Sequence, residues 1–232
     1  CVPRPIRAYL ELHIEQGPRL EEEGCAVGVV EGIVGISWSR LTFSGIQDHA
    51  GPTPMRGRHD ALVAAADVVR AVRAIPGQVS PAMVATVGRL EVSPNIPNAI
   101  PGSVAMSVDM RDPTDEQLTR ALALLDRAVR DAAASEGVSY ELTHYWRVPP
   151  TPFHPEVVGA VERAAKALGS RHRRILSGAG HDAQYMATIC PTGMIFVPSR
   201  NGRSHCEAEF TAWDEIEPGA NTLLLATLEL AQ

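Results

Sequence analysis

Between about Gly32 and Trp146 the spacing of apolar residues switches back and forth between two periods, and that order of switches restricts the fold more than any other feature. Ile36 to Phe43 reads as a strand, ended by Ser44-Gly45. Asp60 to Ile75 places Leu62, Ala65, Val69 and Val72 on one helical face, and Pro76-Gly77 is expected to close that helix. Met83 to Val92 and Ser103 to Arg111 read as the next strands. In the second, Val104, Met106, Val108 and Met110 alternate with Ala105, Ser107, Asp109 and Arg111. Thr114 with Gln117 has the pattern of a capping box ahead of the stripe Leu118, Leu122, Leu125 and Val129. Gly137 stops that helix, and Ser139 to Trp146 is a further strand. The order β-α-β-β-α-β is that of the ferredoxin-like split βαβ unit, an antiparallel sheet with both helices on one face. Its uncovered face is expected to meet another domain or another copy of the chain.

The flanks follow a different rule. Ala8 to Glu15 alternates, with Leu10, Leu12 and Ile14 on one side and Glu11, His13 and Glu15 on the other, until Gln16-Gly17-Pro18 stops the strand. This predicts an imidazole between two carboxylates at the exposed end of an otherwise buried strand. Such a place suits a metal ligand or a general base, and equally a plain charged face. Arg19 to Gly24 reads as a charged turn of helix or loop, and Cys25 to Gly35 as a Gly/Val-rich connection. Beyond a stiff Pro149–Pro152 linker come a helix from Pro155 to Leu168 ended by Gly169, and a short strand from Arg174 to Ser177. Gly178 to Ala183 is a tight turn into a helix. Met194 to Val197 is an apolar run suited to a strand buried on both sides. Ser199 to Glu209 is a polar loop, and Asp214 to Leu230 a closing helix with Leu223, Leu224 and Leu228 inward. The expectation is a discontinuous α/β domain from residues 1–31 and 147–232, interrupted by an α+β ferredoxin-like domain at 32–146.

Several functions are excluded early. A net charge of −6 without a basic run argues against nucleic acid. No stretch approaches a membrane span and no signal peptide is evident. Lys166 is the single lysine, so Schiff-base chemistry has one candidate. The four cysteines, Cys1, Cys25, Cys190 and Cys206, are scattered without a CxxC pair, which fits a reduced, cytoplasmic chain. Gly-x-Ser-x-Gly and P-loop patterns are both absent. Cys206 beside His205 makes a poor thiol nucleophile, because adjacent side chains seldom face each other. His13, His181 and His205 remain, each after a strand of the α/β part, and such folds gather their site residues from strand ends.

Five motifs then occur in order: His13-Ile14-Glu15-Gln16-Gly17-Pro18, His49-Ala50-Gly51-x-Thr53-Pro54-Met55, Asn95-x-x-Asn98-x-x-Pro101-Gly102, Gly178-Ala179-Gly180-His181-Asp182-Ala183 and Ser204-His205. In these the chain resembles the zinc-dependent amidohydrolases of the M20 metallopeptidase group, which include N-carbamoyl-L-amino-acid hydrolase, allantoate amidohydrolase and β-ureidopropionase. The resemblance implies two divalent metal ions in the α/β domain, zinc first, with manganese, cobalt or nickel also suited to such ligands. His13 matches a ligand of one ion and His205 a ligand of the other. The smaller domain matches a lid and dimerisation domain, implying a homodimer. In that domain His49, Asn98 and Arg111 match substrate-contacting residues.

Taken alone, Arg111 reads as a solvated strand residue and Asn98 as a turn former. Within the resemblance, Arg111 would clamp a substrate carboxylate, His49 would polarise the ureido carbonyl or stabilise the oxyanion, and Asn98 would bond a carboxylate or carbamoyl group. Gly178-Ala179-Gly180 offers a nest of N–H groups in which Gly180 would meet substrate. His181 either touches substrate or fixes the turn. Gln16 and Glu209 would orient the substrate and His205. The implied reaction is hydrolysis of a carbamoyl or ureido C–N bond in an N-carbamoyl-L-amino acid, allantoate or ureidopropionate, releasing ammonia and CO₂. The alternatives are an aminoacylase or peptidase of the same group, a non-catalytic dimerising fragment, or a regulator that binds a carbamoyl acid.

One departure matters. In that group a histidine, a bridging aspartate, a glutamate ligand and the glutamate base lie upstream of the His13 motif, where this sequence has twelve residues. The expectation is therefore a C-terminal part of the enzyme, inactive by itself.

Overall fold

The computed structural model describes residues 5–232. Cys1, and the opening from which a longer parent chain is expected, fall mostly outside that range. In chain order the elements are β1 (Tyr9–Ile14), α1 (Arg19–Glu23), β2 (Val27–Ile33), β3 (Gly35–Ser44), β4 (Asp48–His49), α2 (Ala61–Val79), β5 (Val84–Ser93), β6 (Ala99–Ile100), β7 (Ser103–Asp112), α3 (Asp115–Glu136), β8 (Ser139–Val148), β9 (Thr151–Pro152), α4 (Pro155–Ala167), β10 (His172–Ser177), α5 (Asp182–Met186), β11 (Thr192–Val197) and α6 (Trp213–Leu230). They divide into two compact units, one from residues 1–34 and 151–232, the other from 35–150. The divisions fall at Val34/Gly35 and Pro150/Thr151 rather than at residues 31/32 and 146/147.

In the first unit the strands are ordered β1-β11-β2-β10, with β9 added beside β2. β1 runs parallel to β11, β2 runs antiparallel to β11, and β10 runs parallel to β2. The sheet is thus mixed, and β10 ends at the opposite edge from β1 and β11. β2 occupies the stretch that the sequence suggested was a connection. Every one of its residues except Glu31 is buried, so it lacks the alternation that marks a half-exposed strand. Its glycines are demanded by packing, since a Cβ on Gly28 would stand 2.9 Å from the Phe196 Cβ. Thr151 and Pro152 are likewise not free linker: they pair with Ile33 and Gly32.

The two faces of β1 divide the unit. Leu12 lies under α6, where a Cβ on Gly219 would come within 2.8 Å of its side chain. Glu11 and His13 face α5 on the other side. α4 and α6 close the core through Val157, Ala160, Val161, Ala164 and Ala226. Leu223 packs there, but Leu224 and Leu228 point outward, 56% and 54% exposed. The inward stripe of α6 is instead Gly219, Thr222, Ala226 and Leu230, because only small residues let the helix lie this close to the sheet.

In the second unit an antiparallel sheet is ordered β5-β7-β3-β8. Val104, Met106, Val108 and Met110 of β7 are all 2% exposed or less and meet α2 and α3 in one core. The α3 stripe Leu118, Leu122, Leu125 and Val129 is buried, and Gly137 in the left-handed region ends that helix. Two details differ from expectation. α2 continues through Pro76 to Val79, since a proline in the last turn forfeits one donor while its own carbonyl still accepts from the Ser80 N–H. Its buried stripe is turned toward Ala61, Ala64, Val68 and Ile75, with Leu62 and Val69 at the margin. The capping box at Thr114 is not formed: its hydroxyl donates to Asp112 Oδ1 at 3.0 Å. The remaining strands β4 and β6 form a two-residue ladder of their own.

Candidate functional site

In the first unit the site grows from the end of β1. His13 is half-buried, and its Nδ1 lies 2.9 Å from the Ile14 carbonyl. A carbonyl only accepts, so Nδ1 carries the proton and Nε2 is left as a lone-pair nitrogen. The two carboxylates expected to flank His13 do not stay beside it. Glu15 is 8% exposed and turns back to accept from the Arg19 and Leu20 N–H groups, at 3.0 and 2.8 Å. It caps α1. Glu11 accepts from the Ala183 N–H at 2.8 Å and from the Tyr9 hydroxyl at 3.2 Å.

His181 reaches this place from an unexpected direction. Because β10 runs against β1, the ring is carried back over the sheet by the Gly178–Gly180 turn rather than presented at a shared strand end. It packs edge-on to His13, with ring centroids 4.5 Å apart, and lies 5.6 Å from the Phe196 ring. Burial, reinforced by His13, pushes its pKa down to about 4, so the ring is neutral near pH 7. Gly180 is exposed, while the Ala179 N–H of the expected nest is taken by the Ser177 hydroxyl at 3.1 Å.

Gln16 and the Ser199–Glu209 loop form the third side. Gln16 has φ 57°, a conformation uncommon outside glycine, and two contacts hold it there. Its N–H donates to Ser199 Oγ at 3.0 Å and its side-chain amide to Ser204 Oγ at 2.8 Å. Ser204 passes the chain on to Glu209 Oε2 at 2.5 Å, which also accepts from the His205 N–H at 3.2 Å. Glu209 therefore holds the backbone of His205, whose φ is 55°. Ser204 and the His205 N–H hold the Glu209 carboxyl below the usual carboxylate range, with smaller contributions from the His205 and His13 rings. Cys206 is exposed, its thiol held down by the Ala208 N–H and by Arg203.

Among the described residues no group of three or more His, Cys, Asp or Glu forms a metal cluster. The donors that are present nonetheless fit a hydrolytic ion: a half-buried imidazole with its Nε2 lone pair fixed by a backbone bond at Nδ1.

The second unit carries its own set. β4 pairs with β6, and the Ala50 N–H donates to the Asn98 carbonyl at 2.9 Å, so His49 and Asn98 are neighbours, both exposed. The Gly51 N–H donates to His49 Nδ1 at 3.0 Å, which places the proton of the neutral ring on Nε2. Arg58 pins the loop through the Ala50 and Thr53 carbonyls, at 2.8 and 2.7 Å. Arg111 is gripped by Asp109 through two bonds of 2.9 and 2.6 Å, and the Trp38 indole donates to the same carboxylate at 2.9 Å. The Asp109 bond raises the Arg111 pKa further above its usual value. Sequence reasoning placed Asp109 on the face of Arg111 but gave it no part. The signal available was the i, i+2 spacing that puts both on one side of a strand.

The family model for peptidase family M20/M25/M40 matches residues 2–229. The chain belongs to the M20 family. This M20 chain is 43% identical over 219 residues to the N-carbamoyl-L-amino-acid amidohydrolase of Paenarthrobacter aurescens, covering 94% of this chain and 53% of that protein. It is 34% identical over 226 residues to the allantoate amidohydrolase of Escherichia coli strain K12, covering 97% and 55%. A crystal structure of an amidase of the hydantoinase/carbamoylase family from Burkholderia vietnamiensis superposes with a TM-score of 0.95 at 45% identity, covering 100% of this chain and 56% of that one. The chain spans about half the length of the curated relatives it matches.

Proposed function

We propose that the protein to which these residues belong hydrolyses a carbamoyl or ureido C–N bond in a small carboxylate-bearing substrate. What carries the reading is the likeness, at 43% over 94% of this chain, to an N-carbamoyl-L-amino-acid amidohydrolase. Enzymes of this family use divalent metal ions, and His13 and His205 are the residues here that would hold them, zinc suiting imidazole best. A bound divalent ion supplies Lewis-acid polarisation of the carbonyl and of the attacking water.

The chain's own residues do the rest. Unit 35–150 is read as a ferredoxin-like lid through which the protein forms a homodimer, supported by its strand order and by the uncovered sheet face bearing Trp38 and Arg111. His49, with its proton on Nε2, is in the donor form needed to hold a developing oxyanion. Arg111, aimed by Asp109, would meet the substrate carboxylate, and Asn98 beside His49 would bond the carbamoyl group. Gln16 and Gly180 would line the substrate from the first unit. His181 would contact substrate or fix the turn beneath it, and its burial favours the second role. The scattered cysteines, with no CxxC spacing, support a reducing, cytoplasmic setting.

Arg111→Ala in the full-length protein tests the clamp by release of ammonia from N-carbamoyl amino acids and allantoate. kcat/KM should fall by a factor on the order of a hundred or more, the loss expected for a charge-assisted bidentate contact. An unchanged value would overturn the assignment. The 232 residues alone, supplied with Zn²⁺ or Mn²⁺, should release none, because they span about half the length of the relatives they match.

A further inference from the structure

We propose that Glu11 is a positioning residue whose carboxylate fixes His181 in the tautomer protonated at Nδ1, and so sets the ring against which His13 stands. Glu11 lies on the same face of β1 as His13 and Tyr9. One oxygen is fully occupied by the Ala183 N–H and the Tyr9 hydroxyl. The other stands 3.7 Å from His181 Nδ1, whose side chain is 2% exposed. On the far side of the ring, His181 Nε2 lies 2.9 Å from Ser177 Oγ.

The Ser177 hydroxyl has a single proton to give, so it leaves two tautomers open. Ser177 Oγ accepts from the Ala179 N–H at 3.1 Å and is within donating distance of two acceptors, the Ala179 carbonyl and His181 Nε2, each at 2.9 Å. If the proton goes to the carbonyl, His181 must donate from Nε2 and turn a bare Nδ1 lone pair toward a carboxylate in dry surroundings. If it goes to Nε2, the ring proton sits on Nδ1 and faces Glu11. At 3.7 Å the contact is longer than a formed hydrogen bond, yet at low dielectric the sign of the charge at that distance outweighs one neutral hydroxyl bond. Glu11 therefore selects Nδ1–H, and its bond to the Ala183 N–H ties β1 to the start of α5.

The purpose rests on reading His13 as a metal ligand: a fixed neighbouring ring prevents His13 from rotating about χ2, so its Nδ1 bond to Ile14 and its Nε2 lone pair keep their directions. The tautomer itself does not depend on that reading.

Long-range ¹H–¹⁵N correlation of the histidine rings in the ¹⁵N-labelled 232-residue chain, without metal or substrate, tests the assignment. His181 should show a protonated Nδ1 and a bare Nε2. Glu11→Gln can still accept from Ala183 while its amide donates to Nδ1, so the pattern should invert to Nε2–H. Glu11→Asp, which keeps the charge, should retain Nδ1–H. A wild-type Nε2–H pattern overturns the proposal. So does a folded E11Q chain with the wild-type pattern, or an E11D chain that has lost it. In a full-length enzyme with amidohydrolase activity, E11Q should lower kcat more than it raises KM. If no such activity exists, the spectra still decide the tautomer, and the proposed function fails separately.

Discussion

At the scale of single residues, the carboxylates around the end of β1, Glu11, Glu15 and Glu209, each serve as acceptors for backbone N–H groups. Glu15 shows the cost of removing one. Its two oxygens satisfy donors at the start of α1 that have no partner within the helix. Glu15→Ala strands both, and the chain should lose about 1–2 kcal/mol, read as a lower urea midpoint with unchanged slope. Glu15→Gln, which keeps an acceptor, should lose less. The alternation from Leu10 to Glu15 made clear that Glu11, His13 and Glu15 share a face. What each carboxylate meets was not legible, because the meeting depends on where the chain goes next. Glu15 folds back on its own turn, while the Glu11 partner is 172 residues further along. His49 and Asn98 were legible as site residues only through motif resemblance, and their adjacency was not legible at all, since the β4–β6 ladder that joins them is two residues long.

At the scale of elements, two contests decide stability. Gly219→Ala should gain about 0.5–1 kcal/mol of helix propensity, the usual advantage of alanine over glycine within a helix. The new Cβ would stand 2.3 Å from Val197 and 2.8 Å from Leu12, and Val197, 2% exposed, has little room to give way. Overpacking of that kind costs about 1–3 kcal/mol, so the net change should be destabilising, seen as a fall in Tm. The second contest concerns charge. Arg174 of β10 pairs with Glu162 of α4 and Glu31 of β2, and Arg174, with help from Lys166, pulls the Glu162 pKa down to about 2. A carboxyl whose folded pKa lies below its unfolded value adds stability that is complete above about pH 4.5 and disappears as pH falls toward 2. Solvent reaches this network, so the contribution is about 1 kcal/mol or less. Glu162→Gln should lower Tm slightly near neutrality and flatten its pH dependence across that window. Long amphipathic elements such as β7 and α3 were legible because their period is sustained over many residues. β2 was not, because a strand buried on both faces carries glycine where neighbours press closest, and that reads as loop. The inward stripe of α6 was misjudged for a related reason: leucines announce burial, while glycine, threonine and alanine occupy the tightest contact.

For the whole molecule, the order of elements along the chain makes one unit separable from the other. Every residue of the second core lies between Leu41 and Val138, and its sheet is completed by β3, β5, β7 and β8 alone. Its two ends meet, since a Cβ on Gly35 would stand 2.9 Å from Pro150. Excision at those residues therefore breaks no strand and leaves no long tail. The segment 35–150, expressed alone, should unfold in one cooperative transition with dispersed amide resonances, as expected of a domain of this size with its own core. The first unit is joined as closely, because Ile33 pairs with Thr151 in the register of β2 and β9. A short Gly/Ser connection from Val34 to Thr151 should then let residues 5–34 and 151–232 keep the β1-β11-β2-β10 sheet, with the Glu11–Ala183 bond intact. Hydrogen exchange measures that bond directly. Protection of the Ala183 amide in the joined first unit should match that in the parent chain, and its loss, with β2 amides still protected, would mean that unit 35–150 is needed to hold the His181 turn in place.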